Sequence, residues 1–145
     1  MRTLLASWQL WALGSAAFAA LTAIFAKVGV QAISSDFATL IRTVVILAVT
    51  AAIAFATGQF QSPASVPGRT WLFLVLSGFA TGASWLCYFR ALKLGEAAKV
   101  APVDKLSVVL VAIFAAAFLG ERMSTRGWLG VALVGIGAVV VATSG

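Results

Sequence analysis

The sequence contains no histidine and a single cysteine, Cys87. The first absence removes the commonest general base and the commonest metal ligand. The second excludes an intrachain disulfide and a cysteine-based metal site. Only four residues are acidic, and no pair of them is spaced for acid–base chemistry, so neither an enzyme nor a cofactor or metal is expected. Charged residues make up 10% of the chain, where a soluble domain has about 25%. Proline occurs three times, and two of the three, Pro63 and Pro67, fall in one short stretch.

What replaces charge is apolar surface. The chain is 62% hydrophobic over 145 residues, too much for so short a protein to hide from water. Lipid must cover it, and a helix spans the bilayer core with roughly 20 apolar residues. Five such runs nearly use up the sequence. This predicts an all-α fold: a polytopic membrane bundle of five transmembrane helices in one domain over 1–145. The helices are expected at about 8–28, 37–57, 69–92, 100–119 and 126–143. Arg2 and the small-residue run Ser15–Ala19 have the look of a signal peptide. The uncharged stretch continues to Ala26, however, long enough to span, and is read as a retained first helix.

Trp8, Trp11, Trp71 and Trp128 stand near span ends, where indoles anchor at the interface. Ser34, Ser35 or Asp36 is placed to cap the second helix. Gly58–Pro63 and Pro67-Gly68 have the only clear loop composition. The fourth span is short between Lys105 and Glu121. Either it begins near Pro102, with Asp104 in its first turn, or it begins near Ala97 and carries Asp104 and Lys105 into the membrane.

The net charge of +6 comes from basic residues placed singly at span ends, where they snorkel to headgroups. It is not a nucleic-acid surface. The N-terminal side receives Arg2, Arg69, Arg122 and Arg126. The other receives Lys27, Arg90, Lys93 and Lys99, with Arg42 and Lys105 near helix ends. Orientation normally follows Lys/Arg asymmetry, and this chain has almost none. It therefore has the character of a chain that inserts both ways and pairs with an oppositely oriented copy, the oligomeric form of an inverted repeat.

Several helix faces are candidates for function. Gly78 and Gly82 of the third span are spaced for close helix packing. Ser77, Thr81, Ser84 and Tyr88 follow a +4, +3, +4 rhythm and share a polar stripe. Two readings stand: hydroxyls bonded to their own helix carbonyls, or the lining of a substrate cavity with Trp85 and Tyr88 as aromatic walls. The fifth span carries Gly127, Gly130, Val134, Gly137 and Val141 on one face, read as a packing or dimerisation surface. Arg42, beside Thr39 and Thr43, either snorkels or serves a cavity. Adjacent helical residues point about 100° apart, so Asp104 and Lys105 are not expected to share a face. Asp104 either complements the helix dipole or forms a cation or proton site at a kink.

Certain stretches together carry a resemblance. They are Ala23–Val30, Ile41-Arg42-Thr43, Tyr88–Gly95, Val100–Ser107, Phe118-Leu119-Gly120-Glu121-Arg122 and Trp128–Gly137. In order and spacing they resemble the EamA domain of the drug/metabolite transporter superfamily, over nearly the whole chain. Most members of that family have two inverted five-helix halves, and this chain looks like one half. The resemblance implies a small-molecule or metabolite transporter working by alternating access, incomplete as a single chain. Small multidrug resistance proteins, which are related, use a glutamate in their first helix. The first span here has no acidic residue, so proton-coupled export of cations does not carry over.

The expected function is thus a transporter subunit, a dimer with itself or with a homologous chain, in the bacterial inner membrane. The alternative is a non-transporting helper subunit or scaffold, which the many small-residue faces also suit.

Overall fold

A computed structural model describes residues 7–144; Arg2 lies outside them. Its helices are α1 (Trp8–Gly29), α2 (Ser35–Ala56), α3 (Gly68–Leu94), α4 (Ala97–Asp104), α5 (Leu106–Phe114) and α6 (Thr125–Thr143). A 3₁₀ turn, Pro63–Ser65, precedes α3, and a π-helical turn, Ala115–Leu119, extends α5. Taken with that turn, α4 and α5 make one span, Ala97–Leu119, so five segments are long and apolar enough to cross a membrane. Among the described residues there is no strand. The fold is the all-α membrane bundle that the apolar runs predict.

The ends of the helices have identifiable causes. Ser34 caps α2, its Oγ accepting from the Phe37 amide at 3.3 Å. Gly58, at φ 65°, closes the same helix: its amide donates to Phe55 and that of Gln59 to Ala54, the paired bonds of a Schellman end. Phe55 and Phe60 stack across this turn, centroids 4.4 Å apart. The Trp71 indole donates to Pro63 O at 3.2 Å and ties the loop to α3. Ser124 caps α6 through the Gly127 amide at 3.2 Å.

Gly120 ends the fourth span at φ 69°. Its amide and that of Glu121 both reach back to Ala115 O. A side chain in this left-handed conformation costs about 1–2 kcal/mol. Gly120→Ala is therefore expected to lower the melting temperature in detergent. Gly130→Ala, placed in open space within α6, should leave it unchanged or raise it. Equal melting of the two variants would overturn this account.

The described chain forms two compact units. One is Phe25–Lys93; the other joins the stretch ending at Ile24 to that beginning at Leu94. In the first unit the end of α1, the start of α2 and the end of α3 come together. Val30 and Leu92 are fully buried there, with Phe89, Ala26, Ala38, Thr39 and Ser35 around them. Three cations close this end. Lys27 Nζ donates to Leu92 O at 2.7 Å, and Lys93 Nζ to Ile33 O at 2.6 Å. Arg90 meets both carboxylate oxygens of Asp36 at 3.2 and 3.3 Å. The Arg90–Asp36 pair is more than half exposed on both sides. Such a pair is worth about 0–1 kcal/mol, so Arg90→Gln should cost no more than that in a thermal melt.

In the second unit, α4 and α5 both pack on α6. The contact face of α6 is Val131, Gly135 and Ala138, at +4 and +3 spacing. Gly135 marks a close approach of the helices: a Cβ there would sit 3.3 Å from Val109 Cγ2. Gly130 and Gly137 lie on the neighbouring face with nothing within 4 Å of a Cβ position, so within this chain they are open. The Met123 side chain occupies the space beside Gly127. Small residues populate both faces, and the packed one is rotated by one position from the stripe that spacing alone picks out.

The fourth span follows the second of its two expected starts. It begins at Ala97, so Pro102 sits inside the helix and Asp104 is two turns in rather than in the first turn. Pro102 has no amide to donate to Ala98 O. The helix breaks just beyond it, at Lys105, whose amide is shared between Ala101 O and Pro102 O at 3.2 and 3.1 Å.

Candidate functional site

The first unit contains an arginine inside an apolar span. Arg42 lies seven residues beyond the start of α2, about 10 Å along the helix axis at 1.5 Å per residue. It belongs to the inward face of α2 with Ser35, Ala38, Thr39 and Ile46, all at helical spacing and at least half-buried. Its guanidinium lies over the Trp85 ring of α3, 4.1 Å from the centroid, and 5.4 Å from the Phe89 centroid. Tyr88 packs edge-on against Phe89, centroids 6.5 Å apart, and its phenol is within electrostatic range of Arg42. A cation over an aromatic face gains about 0.5–1 kcal/mol when exposed and 2 or more when desolvated. That attraction holds a charge which hydrocarbon alone would reject.

Stacking leaves the edge of a guanidinium free to donate. The described contacts of Arg42 are with rings and none is with an acceptor oxygen. The other cations at this end differ: Arg90 is matched by Asp36, and Lys27 and Lys93 cap carbonyls. The nearby threonines are also spoken for. Thr39 Oγ1 donates to Ser35 O at 2.9 Å and Thr43 Oγ1 to Thr39 O at 2.8 Å.

Of the candidates on α3, the structure brings Trp85 and Tyr88 to Arg42. Ser77, Thr81 and Ser84 are exposed on the adjacent face. The inward stripe is Gly82, Trp85, Phe89 and Leu92, at +3, +4, +3 spacing, and Gly78 continues it one turn earlier as an exposed position. Tyr88 stands at the border of the two stripes. Apart from the local backbone of α3 itself, no heavy atom of the described residues lies within 4 Å of a Cβ position on Gly78 or Gly82, so the face beyond Trp85 is open. Phe89 was not singled out from the sequence. Its signal was present, one turn after Trp85 on the same stripe.

The second unit holds the other candidates. Asp104 and Lys105 form an ion pair at 3.2 Å. The two residues differ in exposure, as expected for adjacent helical positions that do not share a face, and the long lysine stem bends back to reach its neighbour. Asp104 is the less exposed partner, at 34% against 54%.

Five apolar spans, an aromatic-held arginine within one of them and an ion pair within another define a polytopic integral membrane protein with charge inside its helices. The chain belongs to the EamA-like transporter family, whose model matches residues 6–143. A protein of Sinorhizobium sp. named "Uncharacterized transporter in cobO 3'region" is 71% identical over 136 residues, covering 94% of this chain and 96% of that protein. No solved structure matches. The motif resemblance is shown at the level of the family, in keeping with the drug/metabolite transporter superfamily, and it places the chain among membrane transporters.

Proposed function

We propose that this chain is a transporter subunit that moves a small molecule or metabolite by alternating access, acts as a dimer, and resides in the bacterial inner membrane. The observation that carries this reading is Arg42, a guanidinium about 10 Å along an apolar span, stacked on Trp85 with no acceptor oxygen among the described residues on its edge, beside an open glycine face. Ionisable side chains at such depth mark solute pathways. Two features support a second copy. Only 6–11% of each span's most apolar window is buried within one chain, and the basic residues are nearly balanced between the two sides. The partner favoured by that balance is a copy inserted the other way. Asp104 and Lys105 are the polar element of the other unit.

Uptake by proteoliposomes across a broad metabolite panel tests the reading. A transported solute is expected. Its flux per folded protein should fall by about tenfold or more in Trp85→Ala, which leaves the Arg42 charge without its stacking partner; the melting temperature is expected to fall with it. Inertness of the wild-type protein toward the whole panel would favour the non-transporting helper instead. Reporters fused at the C-terminus should give signal from both sides of the membrane. A single orientation would overturn the antiparallel pair and require a parallel dimer or a homologous partner chain.

A further inference from the structure

We infer that Arg42 is the anchor of a binding site for a small monocarboxylate, with the carboxylate on the guanidinium edge and the apolar body of the solute on the Gly82–Gly78 face of α3. The assignment rests on the transport reading above and names its substrate class.

Three features of the first unit converge on it. The Arg42 guanidinium lies over Trp85, which fixes its plane against the ring and leaves its N–H edge for a planar two-oxygen acceptor. The described residues supply no such acceptor: the carboxylate of this end, Asp36, is held by Arg90. Directly along the α3 stripe from Trp85, Gly82 and Gly78 have no atom within 4 Å of a Cβ position. A solute lying there touches bare helix backbone as a floor and has the half-buried Trp85 and Tyr88 as its wall.

Charge selects among oxyanions. Arg42 offers one positive charge inside an apolar span, with no carboxylate paired to it among the described residues. A carboxylate neutralises it. A phosphate monoester carries about −1.5 to −2 near pH 7, which leaves surplus negative charge where an unpaired charge is costly. The apolar surroundings favour a hydrocarbon body over a polyhydroxylated one for the rest of the molecule. A lipid headgroup phosphate shares part of this chemistry and is the competing occupant.

The test uses the full chain in dodecyl maltoside, which has no phosphate and no charge. Acetate, butyrate, hexanoate and benzoate are titrated against the matched neutral amides, with thermal melting as the readout. In a second arm phosphatidylglycerol is added instead. The larger carboxylates are expected to raise the melting temperature by about 3 °C or more near saturation, and the amides to leave it unchanged. Arg42→Gln should weaken the carboxylate effect by at least about 30-fold in concentration, as expected for removing one member of a desolvated ion pair. Gly82→Leu, which fills the open face while keeping the charge, should weaken hexanoate and benzoate but spare acetate. Arg69→Gln should change nothing.

A carboxylate shift that survives in Arg42→Gln, no shift with any of the four acids, or a response to phosphatidylglycerol alone would each overturn the site. The same preparations separate this from the transport reading. Uptake of a neutral or cationic solute that is indifferent to Arg42→Gln would overturn the carboxylate site and leave transport standing. Carboxylate binding without uptake of any solute would leave the site standing and overturn transport.

Discussion

Leu92→Ala should destabilise the protein by about 2–5 kcal/mol, the range for truncating a fully buried leucine to alanine. Leu92 has 0% exposure, as does Val30, and Phe89 has 3%. These three form most of the closed core of the first unit. Within lipid, apolar helices have little hydrophobic drive to associate, and packing carries the stability. A cavity at Leu92 removes that packing with no compensating gain. It also loosens the helix end whose carbonyl receives Lys27, one turn from Phe89 and two from Trp85. Thermal melting and resistance to mixed-detergent unfolding report the effect directly. Leu92→Met, close to volume-conserving, should cost less than about 1.5 kcal/mol. Wild-type melting of Leu92→Ala would show that this end is not the structural centre of the unit.

Asp104→Asn is expected to reduce transport by about tenfold or more, on the scale of losing a charge-assisted hydrogen bond, while leaving helix content intact. The residue lies within the Ala97–Leu119 span and holds Lys105 at 3.2 Å. Removing its charge strands a lysine in the span, where a lone ammonium is unfavourable. The double variant Asp104→Asn/Lys105→Gln restores neutrality. If the pair serves mainly to cancel charge, the double variant recovers the yield and orientation lost by the single one. If Asp104 itself takes part in the transport cycle, the double variant inserts well and still fails to transport. A double-mutant cycle on both readouts separates these roles. Full transport by the single variant would remove Asp104 from the pathway.

Much of the fold was legible from the sequence because its cause is local. A run of apolar residues of spanning length is a helix in a membrane whatever surrounds it, since lipid leaves backbone groups no other partner. The helix ends fall within a few residues of the expected ones, because caps such as Ser34 and turn glycines such as Gly58 act through immediate neighbours. The start of the fourth span stayed open between two positions. Pro102 is a good first residue of a helix and also a tolerated interior one in a membrane, and local preference does not choose between them.

The candidate site was legible only in part. Arg42, Trp85 and Tyr88 stand out singly, as a charge and aromatics in apolar runs. Gly78 and Gly82 stood out as a packing face. That Trp85 and Phe89 continue it did not, because the glycine face of α3 is as compatible with packing as the Ser and Thr face beside it. The same ambiguity, by one position and about 100° of rotation, separates Gly135 from Gly130 and Gly137 on α6. By itself, then, the amino-acid sequence determined that this protein lives in lipid, that it has five spans, and which family it belongs to. These follow from length, hydropathy and linear motifs. Only the tertiary structure decided which faces of α2, α3 and α6 are turned inward, that Arg42 rests on Trp85 and Phe89, and that Asp104 pairs with Lys105. Those depend on how two helices approach and where one of them breaks, and the periodicity of a single helix holds no record of its neighbour.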